Sequence, residues 1–298
     1  MKSLVSYPDR GPYGDARYRG NCSGRLIADL IHEFHPRFVL DPMVGGGTTR
    51  DVCRELGVPG WFSDLREGFN VLQDEIPVGG DLGFLHPPYH DIIRYSGEVW
   101  GNEPHPDDLS RCASYEEFLA RLNEAQFRLY DALRRGGRLA VLVGDVRRRG
   151  ALYPIQRDMR VYGQPEAFVV KAQHNCQSDR RHYAGRFVAI VTEYLWVTRK
   201  PDAFIVPVRV TEIQEVDLRK STVQTWRSVV QGALEHLGGE AALPQLYPVV
   251  REHRKAQQAI EAGYHWRAQV RRVLQVYPDF ESVERGVWRL VPVGQQLL

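Results

Sequence analysis

The stretch RFVLDPMVGGGTTRDVCRELGVPGWFSD, residues 37–64, decides the fold class of this chain. Its first six residues form an apolar run that ends in Asp-Pro and predicts a short buried strand. The triple glycine then opens a segment with helical periodicity that ends at Gly57, and WFSD predicts a second strand. Strand, glycine turn, helix and strand in this order form a βαβ unit, which predicts a parallel sheet with a right-handed crossover.

The chain on either side of this unit continues the α/β pattern as far as Pro201. The first twenty residues predict an irregular arm, and the segment 65–80 is too short for a second full βαβ unit. Residues 91–113 predict a loop with scattered acidic side chains. The other predicted elements are helices at about 23–34, with Ser23 as a candidate N-cap, and 114–135, and the strands DLGFLH, RLAVLVGD, EAFVVKAQH and FVAIVTEYLWVT.

A different pattern follows Pro201 and predicts a second domain. We place the boundary so that residues 1–205 form the first domain and 206–298 the second. Helices are predicted at about 222–237, 244–253 and 264–277, and FESVERGVWRLV predicts two strands joined at Arg285-Gly286. Three helices and a terminal hairpin are typical of a winged helix, which is a common DNA-binding module.

Composition limits the classes of function. The chain has 298 residues, a net charge of +2, 43% hydrophobic and 26% charged residues, so it can bury a full core and has no overall basic field. Any nucleic-acid surface must therefore be local. The four cysteines are far apart, which argues against a disulfide framework and a zinc knuckle. With no signal peptide and no apolar run of membrane-spanning length, we expect a cytoplasmic protein without a membrane partner.

The glycine turn DPMVGGGTT, residues 41–49, lies where parallel α/β sheets bind ligands. Gly45 and Gly47 let the backbone approach a ligand, and the helix start offers free N–H groups to a carboxylate or phosphate. A mononucleotide loop needs GK[ST] and has no lysine here, and a dinucleotide site expects glycine where Arg50 stands. S-adenosylmethionine also fits, with Asp64 placed for its ribose hydroxyls. A tight turn without a ligand is the remaining alternative.

DPMVGGGTT followed by HPPY, residues 86–89, resembles the amino-group DNA methyltransferases, whose motifs read DPFxGxGTT and [DNS]PP[YF]. YRGNCSGRLIADLI resembles the cofactor motif that precedes their glycine turn, and TEYLWVTRKP resembles their closing strand. The likeness covers about residues 10–202, in the motif order of the gamma arrangement. This chain departs from the family at His86, where the family has Asp, Asn or Ser, and in the short stretch between Asp64 and His86.

The resemblance implies a Rossmann-like sheet, mostly parallel with the last strand antiparallel, and methyl transfer from S-adenosylmethionine to an exocyclic amine of a flipped base. His86, uncharged, and the carbonyl of Pro87 would accept hydrogen bonds from the amine, while Pro88 stiffens the segment and Tyr89 stacks on the base. We call this segment, residues 86–89, the hook. Adenine N6 is slightly favoured over cytosine N4. The cofactor residues implied are Asn21, Ser23, Asp41, Pro42, Gly45, Gly46, Gly47, Thr48 and Asp64.

Two other functions stay open at this stage: methylation of an RNA guanine amine, and a non-catalytic winged-helix DNA binder. A metal site at His86 and His90 is disfavoured, since two intervening prolines forbid the helix it would need.

Double-stranded DNA is the expected partner, which would place the protein at the nucleoid. A homodimer is compatible with the sequence, and nothing in it identifies a cognate restriction enzyme. Arginines that follow strands on the ligand-binding side, or lie on the helix HWRAQVRRVLQVY and its wing, are predicted to contact DNA. They are Arg147, Arg148, Arg149, Arg180, Arg181, Arg267, Arg271, Arg272 and Arg285.

Overall fold

A computed structural model describes residues 1–174, 188–202, 206–213 and 225–291. It divides into two compact units, Met1–Glu212 and Ile213–Leu298. Two of the predicted DNA-binding residues, Arg180 and Arg181, lie outside the described residues.

The first unit is built on a seven-stranded sheet in the order β1-β9-β10-β5-β4-β2-β3. Four neighbouring pairs are parallel, and β10 is antiparallel to both β5 and β9. The predicted mostly parallel sheet is therefore confirmed. Its strands are β1 (Leu4–Ser6), β2 (Val39–Asp41), β3 (Gly60–Phe62), β4 (Gly80–Leu85), β5 (Leu133–Gly144), β9 (Gln164–Ala172) and β10 (Thr192–Arg199).

Helices cover both faces of this sheet, because side chains alternate along buried strands. In β5, Leu139 and Val141 pack into the core on one face, whereas Ala140 and Leu142 pack on the other. The helices are α1 (Gly24–Phe34), α2 (Thr48–Glu55), α3 (Tyr115–Ala132) and the short α4 (Ile155–Asp158). Two small two-stranded sheets are also present: β6 (Val146–Arg148) pairs with β7 (Ala151–Tyr153), and β8 (Val161–Tyr162) pairs with β11 (Val208–Arg209).

Local sequence signals explain where the helices begin. Ser23 is the N-cap residue of α1 by position, although its hydroxyl donates to Arg10 O rather than capping the helix. Ser114 caps α3 through its side chain, which accepts from the Glu117 N–H. Gly47, at φ +90°, turns the chain into α2.

Several elements differ from those predicted. The predicted irregular arm contains β1, whose three residues carry no local strand signal and pair with β9. Helix α3 ends at Ala132 rather than 135, because Leu133 already pairs with Gly80. In the described chain no strand lies between β3 and β4, only a 3₁₀ turn at Leu65–Glu67, as expected for so short a segment.

The second unit has its own core and four described helices. Strand β14 lies between β12 and β13, antiparallel to both, and Arg285-Gly286 joins the hairpin as predicted. Helix α7 was missed because its sequence, RKAQQAIE, is mostly polar and buries only Ala256. The elements are α5 (Trp226–His236), β12 (Glu240–Ala242), α6 (Leu243–Glu252), α7 (Arg254–Glu261), α8 (Trp266–Val276), β13 (Phe280–Glu284) and β14 (Val287–Leu290).

Candidate active site

A cavity open to solvent lies beyond the ends of β2, β3 and β4 in the first unit. Its position is the one at which parallel sheets bind ligands. Of the predicted residues, those that line it are Asn21, Asp41, Pro42, Gly45, Thr48, Asp64, His86 and Pro88. The other predicted residues of this site, Ser23, Gly46, Gly47, Pro87 and Tyr89, are not among its lining residues.

Asp64 ties the second strand to the glycine turn. Its carboxylate accepts the Gly45 N–H at 3.0 Å and the Arg66 N–H at 3.1 Å. Burial raises the pKa of this carboxyl, while the two backbone N–H groups oppose that rise. Two bonds leave acceptor capacity on the carboxylate, so it can still accept hydroxyl groups from a ligand.

Asp41 ends β2 as a buried carboxyl. Burial raises its pKa to about 7, against the hydrogen bonds it accepts from the Thr49 side chain and the Met43 N–H. Asp41 therefore stabilises the turn, and its own contacts account for its conformation.

The turn offers unsatisfied polar atoms to a ligand. The Thr48 hydroxyl is buried and has no hydrogen-bond partner in the described structure, and Thr48 is one of the residues that line the cavity. It stands at the first turn of α2, whose leading N–H groups have no intrahelical partners. A ligand carboxylate at the start of α2 would accept hydrogen bonds from both the Thr48 hydroxyl and these N–H groups.

The N-terminal arm covers the glycine turn, which the sequence did not reveal. Asp15 donates its N–H to Gly46 O at 2.8 Å, and a Cβ on Gly46 would come within 2.4 Å of Asn21 Oδ1. A side chain at 46 would therefore force Asn21 of the arm to shift. The Tyr18 ring lies over Gly45 and stacks on Tyr95, with ring centroids 5.6 Å apart.

The loop 91–113 is organised by one buried carboxylate. Asp108 accepts four hydrogen bonds, from the N–H and hydroxyl groups of Ser96 and Ser110. This network holds Tyr95 and Trp100 on the wall of the cavity.

The segment HPPY directly follows β4. His86 Nε2 lies 2.9 Å from the Tyr89 hydroxyl, which donates to Glu193 Oε1 at 2.7 Å. Glu193 in turn accepts from Lys171 Nζ at 2.5 Å, and both charged side chains are 9% exposed. A chain of hydrogen bonds therefore joins the hook to strands β9 and β10.

The sheet register creates the space for this chain. Val5, Lys171, Glu193 and Gly144 lie side by side on β1, β9, β10 and β5, and we call them the cross-strand row. Because Gly144 has no side chain, the Tyr89 ring fits against it, where a Cβ would come within 2.6 Å of Tyr89 Cε2. The sequence signal that was missed is a lone charged residue inside each of two apolar strands, FVVKA and TEYLWV.

Burial and neighbouring charges determine the charge states of His86, Glu193 and Tyr89. Burial lowers the pKa of His86 to about 4, with Glu193 opposing and Lys171 adding to the effect. Burial alone would raise the pKa of Glu193, but the Lys171 ammonium together with His86 and Tyr89 brings it below its usual range. The pKa of Tyr89 is raised well above 10, by burial first and then by Glu193. At neutral pH, His86 and Tyr89 are uncharged and Glu193 is a carboxylate.

Three of the predicted arginines, Arg147, Arg148 and Arg149, lie in β6 and the turn after it, and Arg148 contacts the segment that follows the hook. Arg148, at the end of β6, pairs through Nε with Asp91 at 2.9 Å, two residues beyond Tyr89. Arg147 donates to Gly150 O, and Arg149 is exposed with φ +47°.

In the second unit the predicted arginines are exposed. The Arg267 guanidinium lies over the rings of Tyr247 and Trp266, and Arg271 donates to the Tyr247 hydroxyl at 3.3 Å. Arg272 on α8 and Arg285 in the hairpin turn are also exposed.

Comparisons with known proteins gave only distant similarities. No family model matches the chain, and no curated protein matches it. TTHA0409 of Thermus thermophilus, provisionally assigned as a DNA modification methylase and solved with S-adenosyl-L-methionine, is 25% identical over 48% of this chain and 54% of its own, with a TM-score of 0.29. This chain thus spans about half of that protein's length.

Two further solved structures have similar scores. TrmN from Thermus thermophilus is 15% identical over 61% of this chain and 50% of its own, with a TM-score of 0.32. The N-methyltransferase NodS from Bradyrhizobium japonicum WM9, solved with S-adenosyl-L-homocysteine, is 12% identical over 60% of this chain and 86% of its own, with a TM-score of 0.33. At such scores the likeness decides neither fold nor activity, so both are argued from this chain's own residues.

Membrane-spanning helices and metal clusters are both absent from the described ranges. No helix there has both the length and the apolar character that a bilayer crossing requires. No group of three or more His, Cys, Asp or Glu side chains there could hold a metal ion.

Proposed function

We propose that this chain transfers a methyl group from S-adenosylmethionine to an exocyclic amine of a nucleobase in DNA, with adenine N6 favoured over cytosine N4. The observation that carries the proposal is that one cavity is lined both by the glycine turn with Asp64 and by His86 of HPPY. A cofactor site and a hydrogen-bond acceptor for an amine thus share one space.

The residues of the cavity suit the cofactor. Asp64 would accept its ribose hydroxyls, and the Thr48 hydroxyl with the leading N–H groups of α2 would bind its carboxylate. The side chains of Tyr18 and Asn21 lie against Gly45 and Gly46, and Tyr18, Asn21 and Gly45 line the cavity that would hold the cofactor. When bound, the cofactor supplies an electrophilic methyl group on a sulfonium ion.

The hook suits an amine as the nucleophile. The lone pair of an exocyclic amine is delocalised into the base, so acceptors around its hydrogens help to localise that pair. His86 is uncharged at neutral pH and can accept, and the Pro87 carbonyl is the second acceptor implied by the motif. Both prolines restrict the backbone and so limit misplacement of these atoms. The motif also implies stacking of the base on Tyr89, which is half-buried but is not among the residues that line the cavity.

The second unit suits DNA. Its α5, α6 and α8 with the β13–β14 hairpin have the order of a winged helix, and we propose that α8 is the recognition helix with Arg285 on the wing. Arg267, Arg271 and Arg272 are exposed on α8 and would contact phosphates or base edges. In the first unit, the arginines of β6 and the turn after it would add phosphate contacts beside the hook.

One experiment tests the proposal and identifies the base. The full chain is incubated with tritiated S-adenosylmethionine and either duplex DNA or structured RNA, and the digested nucleosides are analysed by mass spectrometry. We expect N6-methyladenine in DNA, with the rate reduced at least about a hundredfold in His86→Ala. N4-methylcytosine in DNA would show that the target base is cytosine instead of adenine. Methylguanine in RNA would show that the substrate is RNA instead of DNA. Cofactor binding by calorimetry without transfer to either polymer would refute the catalytic proposal and favour a non-catalytic binder.

A further inference from the structure

Hydrogen bonds join four polar side chains in a chain: His86, Tyr89, Glu193 and Lys171. The charge on Lys171 and Glu193 determines which atom carries the proton in each hydrogen bond of this chain. Glu193 is held as a carboxylate by Lys171, and a carboxylate can only accept hydrogen bonds. The Tyr89 hydroxyl therefore gives its only proton to Glu193, at 2.7 Å. The Tyr89 oxygen can then only accept from His86, so Nε2 of His86 must carry the ring proton.

This assignment leaves Nδ1 of the neutral His86 ring with a free lone pair. Within the described residues Nδ1 makes no hydrogen bond, and it is not among the buried side-chain atoms that lack a partner. His86 is one of the residues that line the cavity, so Nδ1 is the ring nitrogen left to accept a hydrogen bond from a ligand there.

We propose that Glu193 and Lys171 are positioning residues that, through Tyr89, fix the tautomer of His86 so that Nδ1 presents an acceptor, never a donor, to the target amine. This inference rests on the proposed function for the identity of the target. With the other tautomer, Nδ1–H would point a donor at the NH₂ group and would favour an oxygen instead. The buried charges thus decide which class of base atom the pocket accepts.

The cross-strand row also explains how Tyr89 reaches Glu193 and why Glu193 lies beside Lys171. The Tyr89 ring reaches Glu193 only because position 144 is glycine, and Glu193 and Lys171 are direct partners in the β9–β10 register. The other ionisable groups that act on Tyr89 are Cys22, next to α1, and Tyr95 of the loop 91–113, and both stay protonated because burial raises their pKa to about 12. Neither can replace Glu193 as the obligate acceptor.

Nitrogen NMR on the full chain labelled with ¹⁵N-histidine measures the tautomer directly, with His86 assigned from the signal lost in His86→Gln. In the native protein at pH 7 we expect a pyrrole-type shift for Nε2 and a pyridine-type shift for Nδ1. In Glu193→Gln the amide can donate to Tyr89, which frees its hydroxyl to donate to Nε2, so we expect the Nδ1–H form to appear. A pyrrole-type Nδ1 in the native protein, or unchanged shifts in Glu193→Gln, would overturn the proposal.

Two further variants guard against misfolding, since Glu193→Gln leaves the Lys171 charge buried. Lys171→Met with Glu193→Gln removes both charges and should also release the tautomer. Gly144→Ala keeps every polar group but displaces the Tyr89 ring, with the same expected result. Glu166→Gln is the matched control, because Glu166 pairs with Arg138 elsewhere on the same sheet and should leave the His86 spectrum unchanged.

Activity gives the second readout. In the double variant we expect the single-turnover rate to fall about a hundredfold while the dissociation constant of S-adenosylmethionine stays within about twofold. If native protein transfers no methyl group, the proposed function fails, but the NMR result still decides the tautomer. If methyl transfer is present and the variants change the tautomer without changing the rate, the positioning role is refuted and the proposed function stands.

Discussion

Replacing Lys171 with Met removes one charge of the buried Lys171–Glu193 pair and should lower the free energy of unfolding. The Nζ–Oε2 distance is 2.5 Å and each side chain is 9% exposed, so at an effective dielectric constant of about 20 the gross attraction is about 7 kcal/mol. Desolvation of both charges offsets most of that attraction. Removal of one partner leaves the other charge buried, and we expect the free energy of unfolding of the first unit to fall by about 3–5 kcal/mol at pH 8.

The pH dependence of this loss has a definite sign. In the native protein the pKa of Glu193 is lowered, so the pair contributes stability above the unfolded value of about 4.3 and loses it as pH falls through the folded value. In the variant, burial without the ammonium raises the pKa of Glu193. The penalty is then absent below about pH 4.3, where the carboxyl is protonated in both states, and grows as pH rises.

Hydrogen exchange measured by mass spectrometry on peptides from β9 and β10 reports this local free energy without assuming that both units unfold together. Lys171→Met with Glu193→Leu should recover most of the loss, because a well-packed apolar replacement of a buried pair is often neutral. Glu166→Gln, which breaks a more exposed pair with Arg138, should cost less than about 1 kcal/mol. A Lys171→Met penalty below about 1 kcal/mol, or one equal at pH 5 and pH 8, would refute the reasoning.

Three further predictions concern the pocket. The single-turnover methylation rate should stay flat down to about pH 5 and fall only as pH approaches about 4, where His86 becomes protonated and can no longer accept; an acid limb near 6.5 would contradict this. Gly46→Ala should weaken cofactor binding in calorimetry about tenfold, because its Cβ would come within 2.4 Å of Asn21 Oδ1; unchanged affinity would show that the arm yields freely. Asp108→Asn replaces one of the two oxygens that together accept four hydrogen bonds, so two of the four lose their acceptor. The opening free energy of the loop 91–113, measured by hydrogen exchange, should fall by about 2 kcal/mol, and equal protection would show that the loop is held by other contacts.

Local patterns predicted the centre of the fold better than its edges. The βαβ unit, with Asp64 after its second strand, could be predicted because the turn, the helix start and the strand ends are all encoded within about thirty residues. Strand β1 could not, since three residues without alternation become a strand only by pairing with β9, more than 160 positions away. The missing strand between β3 and β4 was foreseen from length alone.

The candidate site likewise has one part that local motifs predict and another that depends on contacts between distant parts of the chain. Motif spacing predicted His86 and part of the turn, Asp41, Pro42, Gly45 and Thr48, and these residues line one cavity. The contributions of Tyr18 and Glu193 depend on contacts across 27 and 104 positions of chain, to Gly45 and Tyr89 respectively, and no local pattern encodes such contacts. A charged residue inside an apolar strand was the one available signal for Glu193. It indicates a buried partner but not which one.

The cross-strand row also has a consequence for how the protein is made. Its members are residues 5, 144, 171 and 193, and β10, the last of these four strands to leave the ribosome, inserts between two strands that are already present. A nascent chain that has not reached Thr192 contains the glycine turn and the hook but no acceptor for Tyr89. The hydrogen-bonded chain from His86 to Lys171 therefore forms late in the synthesis and folding of the protein, because the pairing of strands far apart in sequence is slow.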